Sequence, residues 1–237
     1  MLGIFDSGVG GLTALREIRR IAPSVNLCFL ADTGNAPYGT KTRGELLKLV
    51  TDDINFLRKE GCERILMACC TASAVYKYLP EEMRRVATPI IPPAAREAAL
   101  VTRSGKVGVI ATEATVRSRE FARELYRHQE IKEVYQLPLQ ELVSLVEDGT
   151  VDGNISTRLR ERLAKLLLPM RRAEVDVLIM GCTHFPHLEA TISGMLPGVR
   201  LVNPSLVGAY DFVKNICIYG KGVTRYFNTS SLGGKNG

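Results

Sequence analysis

Ile65-Leu66-Met67-Ala68-Cys69 and Leu178-Ile179-Met180-Gly181-Cys182 are nearly the same phrase written twice. Each is a short apolar run that ends on a cysteine, with an amphipathic helical pattern before it. A second pair supports the match: Gly3-Ile4-Phe5 lines up with Gly108-Val109-Ile110. Apolar runs alternating with amphipathic stretches are the pattern of βαβ units and parallel sheets. The spacing therefore predicts an α/β protein built from two similar α/β domains with mostly parallel sheets, related by pseudo-twofold symmetry. In open α/β sheets ligands bind at the carboxyl ends of the strands, which is where both cysteines fall. Two such units facing each other would bring both cysteines to one interdomain cleft.

Other elements follow outward from that pair. Leu2–Phe5 reads as a buried strand, and Ser7-Gly8-Val9-Gly10-Gly11 as a glycine-rich turn. Leu12, Leu15, Ile18 and Ile21 then recur at helical spacing. Leu27–Leu30 reads as a strand and Ala31–Gly39 as a loop. Leu46, Leu47, Val50, Ile54 and Leu57 mark a helix that Gly61 closes. Pro89, Pro92 and Pro93 form the most proline-dense stretch, a candidate crossing between domains. The pattern restarts at strand Val107–Ile110. The expected domains are 1–92 with 206–237, and 93–205. Ser230–Gly237 has turn-forming composition and is expected to be disordered.

Composition narrows the class. The chain has 237 residues, 46% hydrophobic and 24% charged, which suits a globular protein and excludes collagen-like or disordered chains. Six cysteines stand at 28, 62, 69, 70, 182 and 217, without a Cys-x-x-Cys pair. That removes zinc ribbons and thioredoxin-type motifs. No basic and apolar leader opens the chain, and no apolar run approaches the roughly 20 residues of a membrane span. The expectation is a cytoplasmic protein with reduced thiols and no membrane. The formal net charge of +6 comes with two basic clusters, Arg117 to Arg127 and Arg158 to Lys165. Interleaved Glu makes these solvated helix faces rather than a nucleic-acid surface. A basic chain also attracts small acidic substrates.

Cys69 and Cys182 are each followed by a Thr and a helix start, where the helix dipole would lower a thiol pKa. Two such cysteines at matching repeat positions point to function rather than to core packing. Cys28, Cys62 and Cys217 read as structural. Asp6-Ser7-Gly8-Val9-Gly10-Gly11 joins a strand to a helix, so its backbone amides could hold an anion. It is neither Gly-x-Gly-x-x-Gly nor a Walker loop, so a carboxylate fits it better than a nucleotide. Asp32 closes the second strand in a similar position, ahead of Pro37-Tyr38-Gly39. Cys182-Thr183-His184-Phe185-Pro186-His187 has metal-ligand residue types, but nothing completes a shell, so no metal is expected. His184 is better read as an acid–base partner of Cys182.

These motifs, taken together, resemble the glutamate racemases of the aspartate/glutamate racemase superfamily. The matching residues are Gly3-Ile4-Phe5-Asp6-Ser7-Gly8-Val9-Gly10-Gly11-Leu12, Ala31-Asp32-Thr33 with Pro37-Tyr38-Gly39, and Ala68-Cys69-Cys70-Thr71-Ala72-Ser73-Ala74. They continue with Ala114-Thr115-Val116 and Ser118, Leu145-Val146-Glu147 with Gly149, and Gly181-Cys182-Thr183-His184-Phe185-Pro186. The resemblance implies an isomerase that interconverts L- and D-glutamate for bacterial peptidoglycan synthesis. It implies a cofactor-free, two-base mechanism: Cys69 takes the α-proton of the D-enantiomer and Cys182 that of the L-enantiomer. Asp6 is then the partner of Cys69, and His184 with Glu147 the partners of Cys182. Ser7, Asp32, Pro37, Tyr38, Gly39, Cys70, Thr71, Thr115 and Thr183 are the implied substrate-binding positions. The implied partner is a small molecule, glutamate, and a homodimer is compatible with the resemblance.

The chain departs from the family pattern at Cys70, where the family has Asn, and at Asn203-Pro204-Ser205. A thiol does not replace an amide as a hydrogen-bonding group. Three alternatives stay open at the level of sequence. They are a racemase for another acidic amino acid such as aspartate, a non-catalytic amino-acid-binding or regulatory protein on the same fold, and a redox sensor built on Cys69-Cys70.

Overall fold

The computed structural model describes residues 1–147, 156–214, 216 and 220–232. Cys217 and Gly149 lie outside them, and the side chains of Leu145 and Glu147 are not among those described. The chain divides into two compact units: Met1–Ile91 with the segment from Ser205 onward, and Pro92–Pro204.

The first unit holds a five-stranded sheet. Its strands are β1 (Leu2–Asp6), β2 (Leu27–Ala31), β3 (Arg64–Met67), β4 (Ala87–Pro89) and, numbered last in chain order, β9 (Thr224–Asn228). Their order is β4-β3-β1-β2-β9, and every pairing is parallel. The register aligns Phe5 with Leu30 and with Met67, so the three strands end together. β1 and β2 are buried along their whole length, as expected of a parallel sheet covered on both faces.

The second unit holds β5 (Lys106–Ala111), β6 (Glu133–Pro138), β7 (Val177–Gly181) and β8 (Arg200–Val202), in the order β6-β5-β7-β8 and again all parallel. Read backwards, this is the order of the first four strands of the other sheet. β4, β3, β1 and β2 therefore correspond to β8, β7, β5 and β6, which is the duplication seen in the sequence. Leu142, Leu163, Met170, Leu178, Phe185 and Ile192 meet in the core on one side of this second sheet.

Local chemistry explains the helices that matter for the site. Helix α1 (Leu12–Ile21) buries Ala14, Leu15 and Ile18. Arg19 near its end donates to Pro23 O at 2.7 Å, Val25 O at 2.8 Å and Thr224 Oγ1 at 2.5 Å, which ties α1 to β9. Helix α2 (Arg43–Lys59) starts on a capping box: Glu45 N donates to Thr42 Oγ1, and Thr42 N to Glu45 Oε2. Such a cap is worth about 1 kcal/mol. Gly61 follows the helix with φ of +83°, the left-handed geometry that glycine adopts without a Cβ penalty.

The division between the two units falls at Ile91 and Pro92, and Pro92 and Pro93 lie in the first turn of the helix Ile91–Val101. A proline is tolerated there because first-turn N–H groups have no helical acceptor to lose. The tail expected to be disordered begins with structure, since Thr229–Leu232 is helical; residues 233–237 lie outside the described ones. The segment after Cys69 is a single four-residue turn of helix, α3 (Cys70–Ser73), and helix resumes beyond Pro80 at Glu81–Arg84. Among the described residues no helix is long and apolar enough to cross a membrane.

Candidate functional site

In the first unit, Asp32, Asp6 and Cys69 stand at the carboxyl ends of the adjacent strands β2, β1 and β3. The ladders run one step past the strands: Asp32 N donates to Asp6 O at 2.9 Å, and Ala68 N to Phe5 O at 2.9 Å. Two bonds through Ser73 hold the turn that carries Cys69. Its hydroxyl donates to Met67 O at 3.0 Å and accepts from Ile90 N at 3.1 Å.

Asp6 is fully buried, and its charge is met by backbone amides. Oδ2 accepts from Gly8 N at 3.2 Å and from Gly11 N at 3.1 Å. The glycine-rich turn thus does hold a carboxylate, and it is the chain's own. An ideal Cβ on Gly11 would fall 2.6 Å from the Cβ of Asp6, so the turn needs glycine there for space.

The Cys69 sulfur lies 3.6 Å from the Ser7 hydroxyl. Burial, helped by the Asp6 carboxylate, pushes this thiol up to about 11. Amide N–H groups of Ala72 and Ser7 and the Ser7 hydroxyl act in the opposite direction. The expectation of a thiol lowered by a helix dipole is therefore wrong for Cys69. A four-residue helix carries little dipole, and desolvation beside a carboxylate outweighs it. The same groups are nonetheless placed to receive a thiolate when one forms.

Tyr38 is buried, and its hydroxyl lies 2.5 Å from Asp32 Oδ2 and 2.9 Å from Asp53 Oδ2. Asn35 Nδ2 donates to Asp32 Oδ1 at 2.9 Å. Gly39, Cys70 and Thr71 are also buried, whereas Pro37 is exposed. Asp53 escaped the sequence reading. Its signal was there: it occupies a place on the apolar stripe Leu46, Val50, Ile54 and Leu57, where a carboxylate needs a reason to be.

In the second unit, Cys182 follows β7 directly and is 7% exposed. Its sulfur lies 3.4 Å from His184 Nδ1. Phe185 N donates to Cys182 O at 3.1 Å and starts the short 3₁₀ turn Phe185–Leu188. Beside β7, β5 ends at Ala111, and Thr112 caps the helix Glu113–Ser118. Thr115 N donates to Thr112 Oγ1 at 3.3 Å, and the two hydroxyls are 2.9 Å apart. Thr115 and Thr183 are both buried. Each of the paired cysteines thus ends the equivalent strand of its own sheet, with a proton-handling neighbour beside it.

Cys28, Cys62 and the described charges of the basic clusters have structural settings. Cys28 and Cys62 share a hydrogen bond, which together with burial raises the Cys62 thiol. Arg123 pairs with Glu120 and Glu124, Arg127 with Glu124, and Arg162 with Glu141. The first basic cluster is therefore partly neutralised by carboxylates of its own segment, and Arg162 of the second by Glu141 on the preceding helix. No group of three His, Cys, Asp or Glu among the described residues could hold a metal ion.

Comparison with known proteins agrees with this geometry. The family described as Asp/Glu/Hydantoin racemase matches residues 26–210. A glutamate racemase from Gloeobacter violaceus is 38% identical over 213 residues, covering 89% of this chain and 78% of its own. A glutamate racemase isoform from Bacillus anthracis superposes with a TM-score of 0.85 at 29% identity, covering 97% of this chain and 88% of that one. The Francisella tularensis glutamate racemase, solved with D-glutamate, gives a TM-score of 0.84 at 30% identity, covering 96% and 87%. With two matched strand-end thiols and these relatives over most of its length, the chain belongs to the Asp/Glu/hydantoin racemase family, among its glutamate racemases.

Proposed function

We infer that this chain is a cofactor-independent isomerase that interconverts L- and D-glutamate. One observation carries the mechanism: each unit ends its corresponding strand on a buried cysteine, and the two cysteines have different proton partners. Inverting a stereocentre by proton exchange needs a base on one face of the α-carbon and an acid on the other. Cys69, with its raised pKa, rests as the thiol and is the acid. Cys182, with His184 to take or return its proton, is the base.

For L-glutamate, the C–H electron pair stays on the α-carbon as the proton passes to the Cys182 thiolate. The carbanion-like centre then takes the Cys69 proton on its other face, giving D-glutamate. Cys69 is left as a thiolate, met by the Ser7 and Ala72 amides, and exchange with solvent resets the pair. The reverse reaction uses Cys69 as base. An amino-acid α-proton is a very weak acid, so preorganised donors in a water-poor site carry much of the catalysis. Ser7, Asp32, Pro37, Tyr38, Gly39, Cys70, Thr71, Thr115 and Thr183 are assigned to substrate binding, Asp6 to support of Cys69, and Glu147 to the Cys182 side. The product would supply peptidoglycan synthesis in a bacterial cytoplasm.

The test is solvent-deuterium exchange at the α-carbon, followed together with the circular dichroism of both enantiomers. Wild type should exchange and racemise glutamate, and Cys69→Ser or Cys182→Ser should each cost about 10²-fold or more. Tight glutamate binding without exchange would instead make the chain a binding protein. Faster turnover of aspartate would move the substrate assignment.

A further inference from the structure

Tyr38 presents a problem in proton counting. Its hydroxyl has one hydrogen, yet carboxylate oxygens of Asp32 and Asp53 both lie within hydrogen-bond distance of it, at 2.5 and 2.9 Å. All three side chains are buried, at 1%, 1% and 4% exposure for Asp32, Tyr38 and Asp53. If both carboxylates were ionised, one would face the lone pairs of the phenol oxygen without a proton between them. Burying such an uncompensated charge is costly, and the group takes up a proton instead.

Which carboxyl holds the proton follows from the neighbours. Asp32 accepts the shorter bond from Tyr38, and its other oxygen accepts from Asn35 Nδ2 at 2.9 Å. It is built as an acceptor. Asp53 faces acidic groups: Asp32 after β2, Asp6 at the end of β1 and Asp52 on its own helix. Tyr38 faces it from the loop, and Cys70 is the titratable group of α3, which packs against α2.

We propose that Asp53 is a positioning residue for the racemase reaction: it is held as the neutral acid and donates to Tyr38, which donates to Asp32. This chain of bonds has one direction, and it fixes the Pro37-Tyr38-Gly39 segment to α2 and to the end of β2. The proposal rests on the glutamate racemase reading for its kinetic consequence, because that segment is assigned there to substrate binding. Loss of the Asp53 proton puts two anions against one hydroxyl, so the segment should loosen as the pH rises. Substrate binding would weaken while the thiol chemistry stays in place.

Two measurements test this. In ligand-free protein labelled with ¹³C at aspartate carboxyls, the resonance missing from Asp53→Asn is assigned to Asp53 and titrated. It should titrate close to the value of about 8 to which burial and the Asp32 charge push this carboxyl. A midpoint below pH 5 would overturn the proposal whatever the enzyme's activity. The second measurement is KM for glutamate from pH 7 to 9.5. Wild type should show a rise in KM, by about tenfold for each 1.4 kcal/mol of binding lost, with a smaller change in kcat. In Asp53→Asn, whose amide still donates to Tyr38 but does not titrate, that rise should be absent. Asp53→Ala, with no donor, should have raised KM across the whole range. Identical KM profiles for wild type and Asp53→Asn would refute the positioning role. A wild-type protein that titrates as expected at Asp53 but racemises nothing would refute the racemase reading and leave the proton chain standing.

Discussion

Gly11 donates its backbone N–H to Asp6 Oδ2 at 3.1 Å from a position where a Cβ would lie only 2.6 Å from the Asp6 Cβ. Bond and contact depend on the same close approach. Gly11→Ala must therefore move either the turn or the carboxylate that neighbours Cys69. The expected cost is about 1–3 kcal/mol of stability, as for other overpacked sites, with a larger proportional loss of racemisation. Thermal unfolding and polarimetry on one preparation check this. An active variant of unchanged melting temperature would show that the turn has slack.

His184 offers a kinetic signature that follows from symmetry. Enantiomers have equal free energies in water, so any variant must change kcat/KM equally in both directions. What can differ is which step limits each direction. With His184→Gln the Cys182 sulfur keeps a polar neighbour but loses a proton acceptor. The α-deuterium isotope effect should then grow more for L-glutamate than for D-glutamate. Overall activity should fall by about 10²-fold or more, the usual scale of acid–base assistance. Equal isotope effects from both enantiomers would argue that His184 acts on neither thiol selectively.

Asp53 should make stability depend on pH in an unusual direction. Its folded pKa lies above that of an exposed aspartate, so between about pH 4 and 8 the folded state binds more protons than the unfolded one. Stability from this group is complete below that window and is lost as pH rises through it. Chemical denaturation of wild type and Asp53→Asn should give curves that diverge with rising pH, the variant being the more stable at pH 8. Parallel curves would show that Asp53 ionises in the fold at no cost.

Cys70 separates the substrate alternatives. It is buried at the first position of α3, beside Cys69, where the resemblance places an amide. Cys70→Asn restores a strong donor and acceptor. One recovered hydrogen bond, about 0.5–1.5 kcal/mol, should lower KM for glutamate by up to about tenfold, with less effect on aspartate. A variant that gained on aspartate instead would point to the other acidic substrate.

Legibility in the sequence followed burial. β1, β2, β5 and β7 lie inside their sheets, so Leu27–Leu30 or Val107–Ile110 stand out as apolar runs. β6 is Glu-Val-Tyr-Gln-Leu-Pro and β9 is Thr-Arg-Tyr-Phe-Asn; both are edge strands with mixed faces and no run to see. β4 and β8 are three residues each, too short for any period. At the site, motif residues such as Asp6 and Cys69 were visible because local order along the chain places them at strand ends. Asp53 was legible only in part: its place on the apolar stripe Leu46, Val50, Ile54 and Leu57 marks it as inward-facing, whereas its partner, a tyrosine from another segment, shows only in the fold. The direction of the Cys69 shift was also out of reach, since it depends first on how deeply the fold buries the thiol and then on the Asp6 carboxylate brought near it.

The strand β9 has a further consequence, for the order in which the protein can be made. It seals the β2 edge with residues that leave the ribosome almost two hundred positions after β2 itself. The second unit is one continuous stretch and has all its strands by the time Val202 emerges. The first unit, although it begins at Met1, cannot finish its sheet until Thr224–Asn228 has been synthesised. During that interval Leu27–Ala31 is an unpaired apolar edge, the kind of segment that recruits other nascent chains or chaperones. Premature termination before Thr224 would thus spare the later-encoded unit and leave the earlier one open.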